Sequence, residues 1–271
     1  ANKAAGTPQN PRRVTSELGA VCPTIVVPGP WSAADVRYQA EQIATQKMHN
    51  SGYNCVACQA LILPKGWEHS AQLQKEIEQV ISAAAQRGMY YPGSAARLAE
   101  FAALDAASRD IPLGRFGEVV VTAFDDAAAD ALGSTEVFGP GLSVKEIVGA
   151  APEEYLKAAI AFANDTLFGT LGANIVIHPA TLRAIGQDKF DEIFAELKYG
   201  AIAVNAWTGA IFLLNGCPWG GFPGATLDNV GSGIGTVHNT FMLDETERTV
   251  LYAPWRPFPR GLLSGQLSPM R

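Results

Sequence analysis

The chain has 271 residues, 48% of them hydrophobic, and 20 basic against 26 acidic side chains give a formal net charge of −6. That is enough apolar material for a large core in one large domain or two small ones, and the acidic balance argues against nucleic acid or an anionic membrane surface as the main partner. No apolar run is long enough to span a bilayer, residues 1 to 13 lack the apolar centre of a secretory signal, and four cysteines in so long a chain do not suggest a secreted disulfide framework, so a reducing cytoplasm is the expected location.

Residues 1–16, rich in Pro, Asn and basic side chains, read as a linker, and the start at Ala1 reads as a cut end. Thr24 to Val27 is a short apolar strand ended by Pro28-Gly29-Pro30. Ser32 is a good N-cap for an amphipathic helix from Ala33 to Lys47. Ala60 to Leu63 is a buried strand stopped by Pro64. Ser70 to Gln86 has helical periodicity, with Leu73, Ile77, Val80 and Ile81 on one face and Gly88 as a stop. Ser94 to Ala107 is an Ala-rich helix. Strands follow at Gly117 to Phe124 and Leu142 to Val148. A helix from Glu153 to Asn164 has Pro152 near its first turn. Ala173 to Ile177 is a strand, a helix starts at Pro179 to Gly186, and Gly200 to Val204 and Thr249 to Tyr252 are the last strands. Pro254 to Pro259 is a Pro/aromatic tail. Strands alternating with helices indicate an α/β domain with a mainly parallel sheet.

Asn50-Ser51-Gly52-Tyr53-Asn54-Cys55 sets a cysteine just after a glycine-containing turn. The thiolate is the reactive form of cysteine, and nearby dipoles can lower its pKa. Taken alone, this context favours a small buried residue over a nucleophile. Cys55-Val56-Ala57-Cys58 also has Cys-x-x-Cys spacing. A zinc site would need a second ligand pair, but Cys217 and the four histidines are scattered, and a redox pair lacks its supporting pattern. Chance spacing is the preferred reading. Glu17 by itself is an ordinary acid, and Glu136-Val137-Phe138-Gly139-Pro140 is a loop entering a strand. In the Gly-rich run from Pro218 to Gly235, no clear strand precedes Gly231, so it is not a dinucleotide fingerprint.

Taken in order, these segments resemble the aldehyde dehydrogenase superfamily. The match runs through Glu17-Leu18-Gly19, Asn50-x-Gly52-x-x-Cys55, Glu136-Val137-Phe138-Gly139-Pro140 and Pro218-Trp219-Gly220-Gly221. Asn164-Asp165-Thr166 with Gly169, Gly200 to Asn205, and Ser232 to Gly235 extend it over residues 15 to about 252. The resemblance implies a three-layer α/β/α catalytic domain with a mainly parallel sheet, followed by a C-terminal oligomerisation strand. It divides the chain into a remnant of the cofactor-binding domain (1–24), the catalytic domain (25–240) and the oligomerisation strand with its tail (241–271), with Thr249 to Tyr252 as the candidate strand. Family members are roughly twice this length, so the chain is expected to be the C-terminal half.

The resemblance also implies roles. Cys55 would attack an aldehyde carbon, and Glu17 would act as general base toward the thioester. Glu136 and Phe138 would hold the nicotinamide riboside of NAD or NADP, with Gly19 beside them. Asn205 and Gly220-Gly221 would shape the pocket or a subunit contact. The implied partners are a small aldehyde, the N-terminal cofactor-binding domain and further copies of the chain. The chain departs from the family pattern at Ala20 and Val21, at Tyr53, and at Trp219 and Phe222-Pro223. The alternatives are a non-catalytic module that kept the fold, and a CoA-acylating dehydrogenase, which the presence of Glu17 disfavours.

Overall fold

The computed structural model describes residues 5–7, 9–10, 12–84, 88–113, 117–125, 129–149 and 151–256. Expected features at Gln86 and at residues 257–259 lie outside that set. Among the described residues, ten strands form two sheets. A two-residue ribbon pairs β1 (Ser16–Glu17) antiparallel with β9 (Gly233–Ile234). The main sheet contains β2 (Cys22–Val26), β3 (Cys58–Pro64), β4 (Arg109–Pro112), β5 (Glu118–Ala123), β6 (Gly141–Ile147), β7 (Gly172–Val176), β8 (Ala201–Val204) and β10 (Thr249–Tyr252). Its spatial order is β10-β8-β7-β2-β3-β6-β5-β4, and every neighbouring pair is parallel except β4 with β5.

Helices cover both faces. α1 (Ala33–Met48) and α2 (Ser70–Ala83) lie on one side. Val36, Ile43, Leu73 and Ile77 pack there against Val26, Leu61 and Leu63. On the other side lie α3 (Ser94–Ala103), α5 (Pro152–Thr166) and α7 (Gln187–Ala195), with the short α4 (Ala129–Ser134) and α6 (Pro179–Ile185) beside them. Phe101, Leu156, Ile160 and Phe190 pack there against Ile25, Ala60, Ile62 and Ile175. Successive strand residues point to opposite faces. Buried on both faces, β3 is therefore apolar almost throughout. A last short helix, α8 (Gly209–Phe212), follows β8.

Most boundaries follow the sequence reading closely. The Ser32 hydroxyl accepts from the Asp35 N–H while the Asp35 carboxylate accepts from the Ser32 N–H, a reciprocal cap that starts α1 where expected. The α3 helix stops at Ala103 rather than Ala107. Past its end the Asp105 carboxylate accepts from the N–H groups of Ala107 and Ala123 and turns the chain toward β5. The strand expected to serve oligomerisation, β10, forms an edge of the main sheet beside β8. No helix among the described residues is long and apolar enough to cross a membrane.

Candidate active site

The neighbours β2, β3 and β6 run parallel, so the segments that lead into them end up at the same end of the sheet. Glu17 precedes β2, Cys55 precedes β3 and Glu136 precedes β6. Topology thus gathers three residues far apart in sequence around one cavity of about 950 Å³, lined by all three and by Gly19 and Phe138.

The Cys55 loop has an unusual backbone. After α1, residues Asn50, Ser51 and Gly52 adopt successive positive φ values of 54°, 58° and 81°, a left-handed turn that L side chains rarely sustain. The Asn50 side-chain amide donates to the Tyr53 carbonyl at 3.1 Å, and the Tyr53 N–H donates to the Asn50 carbonyl at 3.1 Å. A Cβ on Gly52 would overlap the Gly139 carbonyl, so this glycine also seats the loop against the Glu136 segment. From behind, the Cys22 thiol donates to the Cys55 carbonyl at 3.3 Å and the Trp207 indole donates to the Val56 carbonyl at 3.0 Å. The two cysteines of the Cys-x-x-Cys spacing diverge. Cys55 lines the cavity, whereas Cys58 opens β3 and is fully buried.

The Glu17 segment is held by the other glycine-rich motifs. The Leu18 N–H donates to the Ser232 carbonyl at 3.0 Å, and the Ser232 hydroxyl donates to the Gly19 carbonyl at 2.9 Å. A Cβ on Gly169 would lie 2.6 Å from that of Ala20, and one on Gly200 would overlap the Gly220 carbonyl. The Gly motifs are therefore close-packing points, not a phosphate cradle. Trp219, a departure from the family pattern, is fully buried and its indole donates to the Glu17 carboxylate at 3.2 Å. Val21 is buried in the core, so nothing polar is called for there.

Glu136 sits with its carboxyl against Gly19, where any Cβ would overlap it. The buried Gln59 fixes this loop: its amide donates to the Thr135 carbonyl at 2.6 Å, and its carbonyl accepts from the Val137 N–H at 3.0 Å. Phe138 takes φ 44°, outside the usual range for an aromatic residue. Its ring meets Tyr91 at 5.2 Å and Tyr53 at 6.0 Å, and Tyr53 also meets Tyr90 at 4.6 Å. A second aromatic group stands apart from this one, with Trp207 against His49 at 5.1 Å and Phe212 against Trp219 at 5.2 Å.

The electrostatics couple the three residues. Burial and the nearby Glu17 charge push the Cys55 thiol up to about 12, while its own N–H pulls the other way. The resting group is therefore a thiol, not a preformed thiolate, and it donates to the Asn54 side-chain carbonyl at 3.9 Å. Burial and the Glu17 charge raise Glu136 to about 7, and Lys47 and Arg97 partly offset that. Burial lowers Lys47 to about 8, and it lies near Cys58, Cys22 and Glu136. Burial also lowers His49, which lines the cavity as a neutral ring.

Sequence reading did not single out Gln59, Lys47 or Trp207. The available signal for Gln59 was a polar residue inside an apolar strand, and for Lys47 a basic residue in the last turn of α1; Trp207 lies outside any strand or helix and carried none. Asn205 does not line the cavity. Its side chain bridges both backbone groups of Ile177, accepting at 2.8 Å and donating at 3.0 Å, from a backbone with φ 57°.

No family model matches the chain, and no curated protein matches it in sequence. Solved structures do match. Aldehyde dehydrogenase 21 from Physcomitrella patens, solved with the reaction product succinate, matches at TM-score 0.63 and 18% identity over 83% of this chain and 44% of that one. The aldehyde dehydrogenase KauB from Pseudomonas aeruginosa matches at TM-score 0.64 and 20% identity, over 88% and 46%. An indole-3-acetaldehyde dehydrogenase solved with NAD+ matches at TM-score 0.63 and 20% identity, also over 88% and 46%. The chain thus has the α/β fold of the aldehyde dehydrogenase catalytic domain and spans less than half the length of these solved chains.

Proposed function

We propose that this chain is the catalytic half of an NAD(P)-dependent aldehyde dehydrogenase that oxidises an aldehyde to a carboxylic acid. The observation that carries this reading is the Cys55 thiol within reach of the Glu17 charge, in a cavity that both line together with Glu136 and Phe138. Fold likeness at this level of identity supports the architecture. The pairing of thiol and base supports the chemistry.

Glu17 takes the thiol proton as Cys55 sulfur bonds to the aldehyde carbon, so the high thiol pKa is met by a base in the same cavity. The Cys55 backbone N–H is the donor we assign to the oxygen that gains charge. Once the carbon has lost hydride, the acyl group is held on Cys55 as a thioester. Glu17 gives that proton up to solvent and then takes one from water as the water oxygen bonds to the acyl carbon; the carbon–sulfur bond breaks, the acid leaves, and the Cys55 sulfur takes a proton back. Trp219 orients the Glu17 carboxylate throughout.

The residues present fit a nicotinamide cofactor. Glu136 offers two carboxylate oxygens to a pair of ribose hydroxyls, and Phe138 offers a ring face in the same cavity. When bound, that cofactor supplies the hydride acceptor. Gln59 holds the loop that carries Glu136, and Gly19 leaves room for its carboxyl.

The test is NAD(P) reduction by the full-length protein. Aldehyde-dependent reduction is expected and should be abolished by Cys55→Ala. Turnover that survives this substitution overturns the reading. Glu17→Gln should remove steady-state turnover, whereas the 271-residue chain alone should show none.

A further inference from the structure

We infer that the cavity selects a neutral aldehyde with an apolar alkyl or aryl body, admitted between Trp207, Phe212 and Leu213. This rests on the proposed role of Cys55 and specifies the substrate class for it.

The lining determines the choice. Beyond Cys55 and Glu17, one wall is built from Trp207, Ala210, Phe212, Leu213, Trp219 and Leu251. Among the described residues that line the cavity, none is Lys or Arg. The basic groups nearest Glu136, Lys47 and Arg97, are not part of the lining. His49 is in the lining, but burial keeps it uncharged. A substrate carboxylate or phosphate would meet two carboxylates and no cation, and burying a charge without a partner is costly.

A cationic substrate fits no better along this wall. Glu17 already accepts from Trp219, and a salt bridge to it would compete with its use as a base. The wall that carries Phe212 and Leu213 has no carboxylate of its own. The apolar surface also continues outward. Leu213 is 68% exposed and Leu214 48%, and Phe241, 73% exposed, lies beside Gly216. An exposed apolar strip that runs into a cavity is a mark of an apolar ligand's entry path.

The test uses three methanethiosulfonates on the 271-residue chain: hexyl (neutral), 2-sulfonatoethyl (anionic) and 2-trimethylammonioethyl (cationic). In each case Cys55 sulfur displaces methanesulfinate and forms a mixed disulfide. Peptide mass reports labelling at Cys55, and each rate is divided by that of the same reagent with free glutathione. The hexyl reagent is expected to exceed both charged reagents at least tenfold. Leu213→Asp, at an exposed position that does not threaten folding, should cut that preference at least threefold. A charged reagent that matches or exceeds hexyl overturns the inference, as does a preference that Leu213→Asp leaves intact.

These outcomes are separable from the catalytic reading. A hexyl preference in a protein whose full-length form never reduces NAD(P) leaves the apolar site and removes the enzyme. Full-length turnover of anionic or cationic aldehydes, but not neutral ones, removes the specificity and leaves the enzyme.

Discussion

Replacing Glu17 by Gln should make Cys55 more reactive toward a disulfide reagent while it ends turnover. The Cys55 thiol is held up to about 12, with burial as the largest cause and the Glu17 charge next. At pH 8 such a thiol is ionised in roughly one molecule in ten thousand, against roughly one in four for a free thiol. The rarer thiolate is also the stronger nucleophile, which recovers roughly forty-fold. The wild-type chain should therefore react roughly sixty-fold more slowly than glutathione with 4,4′-dithiodipyridine. Gln keeps the volume of Glu17 and can still accept from the Trp219 indole, but removes the charge. Each unit by which the thiol pKa then falls should give about a threefold net gain in rate. Burial persists in the variant, so the gain should stop short of the free-thiol rate. The assay is release of thiopyridone followed by absorbance between pH 7 and 10 in a Cys217→Ser background, which leaves Cys55 as the one partly exposed thiol. A wild-type rate equal to that of glutathione would refute the burial argument, and a variant no faster than wild type would refute the coupling to Glu17. Slow labelling of the wild type therefore does not count against a catalytic Cys55, because its proposed base lines the same cavity.

Gly52→Ala should lower stability by at least about 1–2 kcal/mol, the usual penalty for a side chain in the left-handed region, with the overlap on the Gly139 carbonyl adding to it. Urea unfolding within about 0.5 kcal/mol of wild type, the range of an inert surface change, would remove this account of the loop. Glu136→Gln should flatten the pH dependence of stability in a defined window. The folded value of about 7 lies above the ordinary 4.5, so the folded state holds the proton more tightly than the unfolded chain does. The contribution is full below pH 4.5 and is lost as pH rises to about 7, by up to roughly 3 kcal/mol. Unfolding curves for both proteins at pH 5 and pH 7.5 should show this difference, and parallel slopes would refute it.

The site was legible because each of its residues stands just ahead of an apolar strand, and strands that run parallel side by side carry such residues to one end. Glu17, Cys55 and Glu136 could thus be picked out by motif and order, although no local signal raised any of them above an ordinary acid or a buried thiol. Their supports were harder to see. Gln59 lies in a strand otherwise apolar, and its purpose is clear only when the Glu136 loop is beside it. Trp219 read as a departure, since its indole finds Glu17 across 202 positions of sequence. The short elements β1, β4, β9, α4 and α8 escaped notice for a different reason. β4 buries only Ile111 and pairs antiparallel at the sheet edge, so it carries no apolar run. The β1–β9 ribbon has two residues on each side and is fixed by glycine contacts instead of side-chain pattern.

That ribbon also explains why the glycine motifs look misleading in sequence. Gly233 must approach the backbone of Ser16 more closely than any Cβ allows, and Gly220 must do the same with Gly235. Each glycine removes a side chain so that another strand can lie against Glu17-Leu18-Gly19 and hold it over Cys55. A nucleotide-binding loop needs its glycines for a ligand, whereas these serve the protein's own backbone. The same reasoning bears on Ala20. Its Cβ fits because the facing residue is Gly169, so enlarging either position should displace Glu17 before it disturbs the sheet.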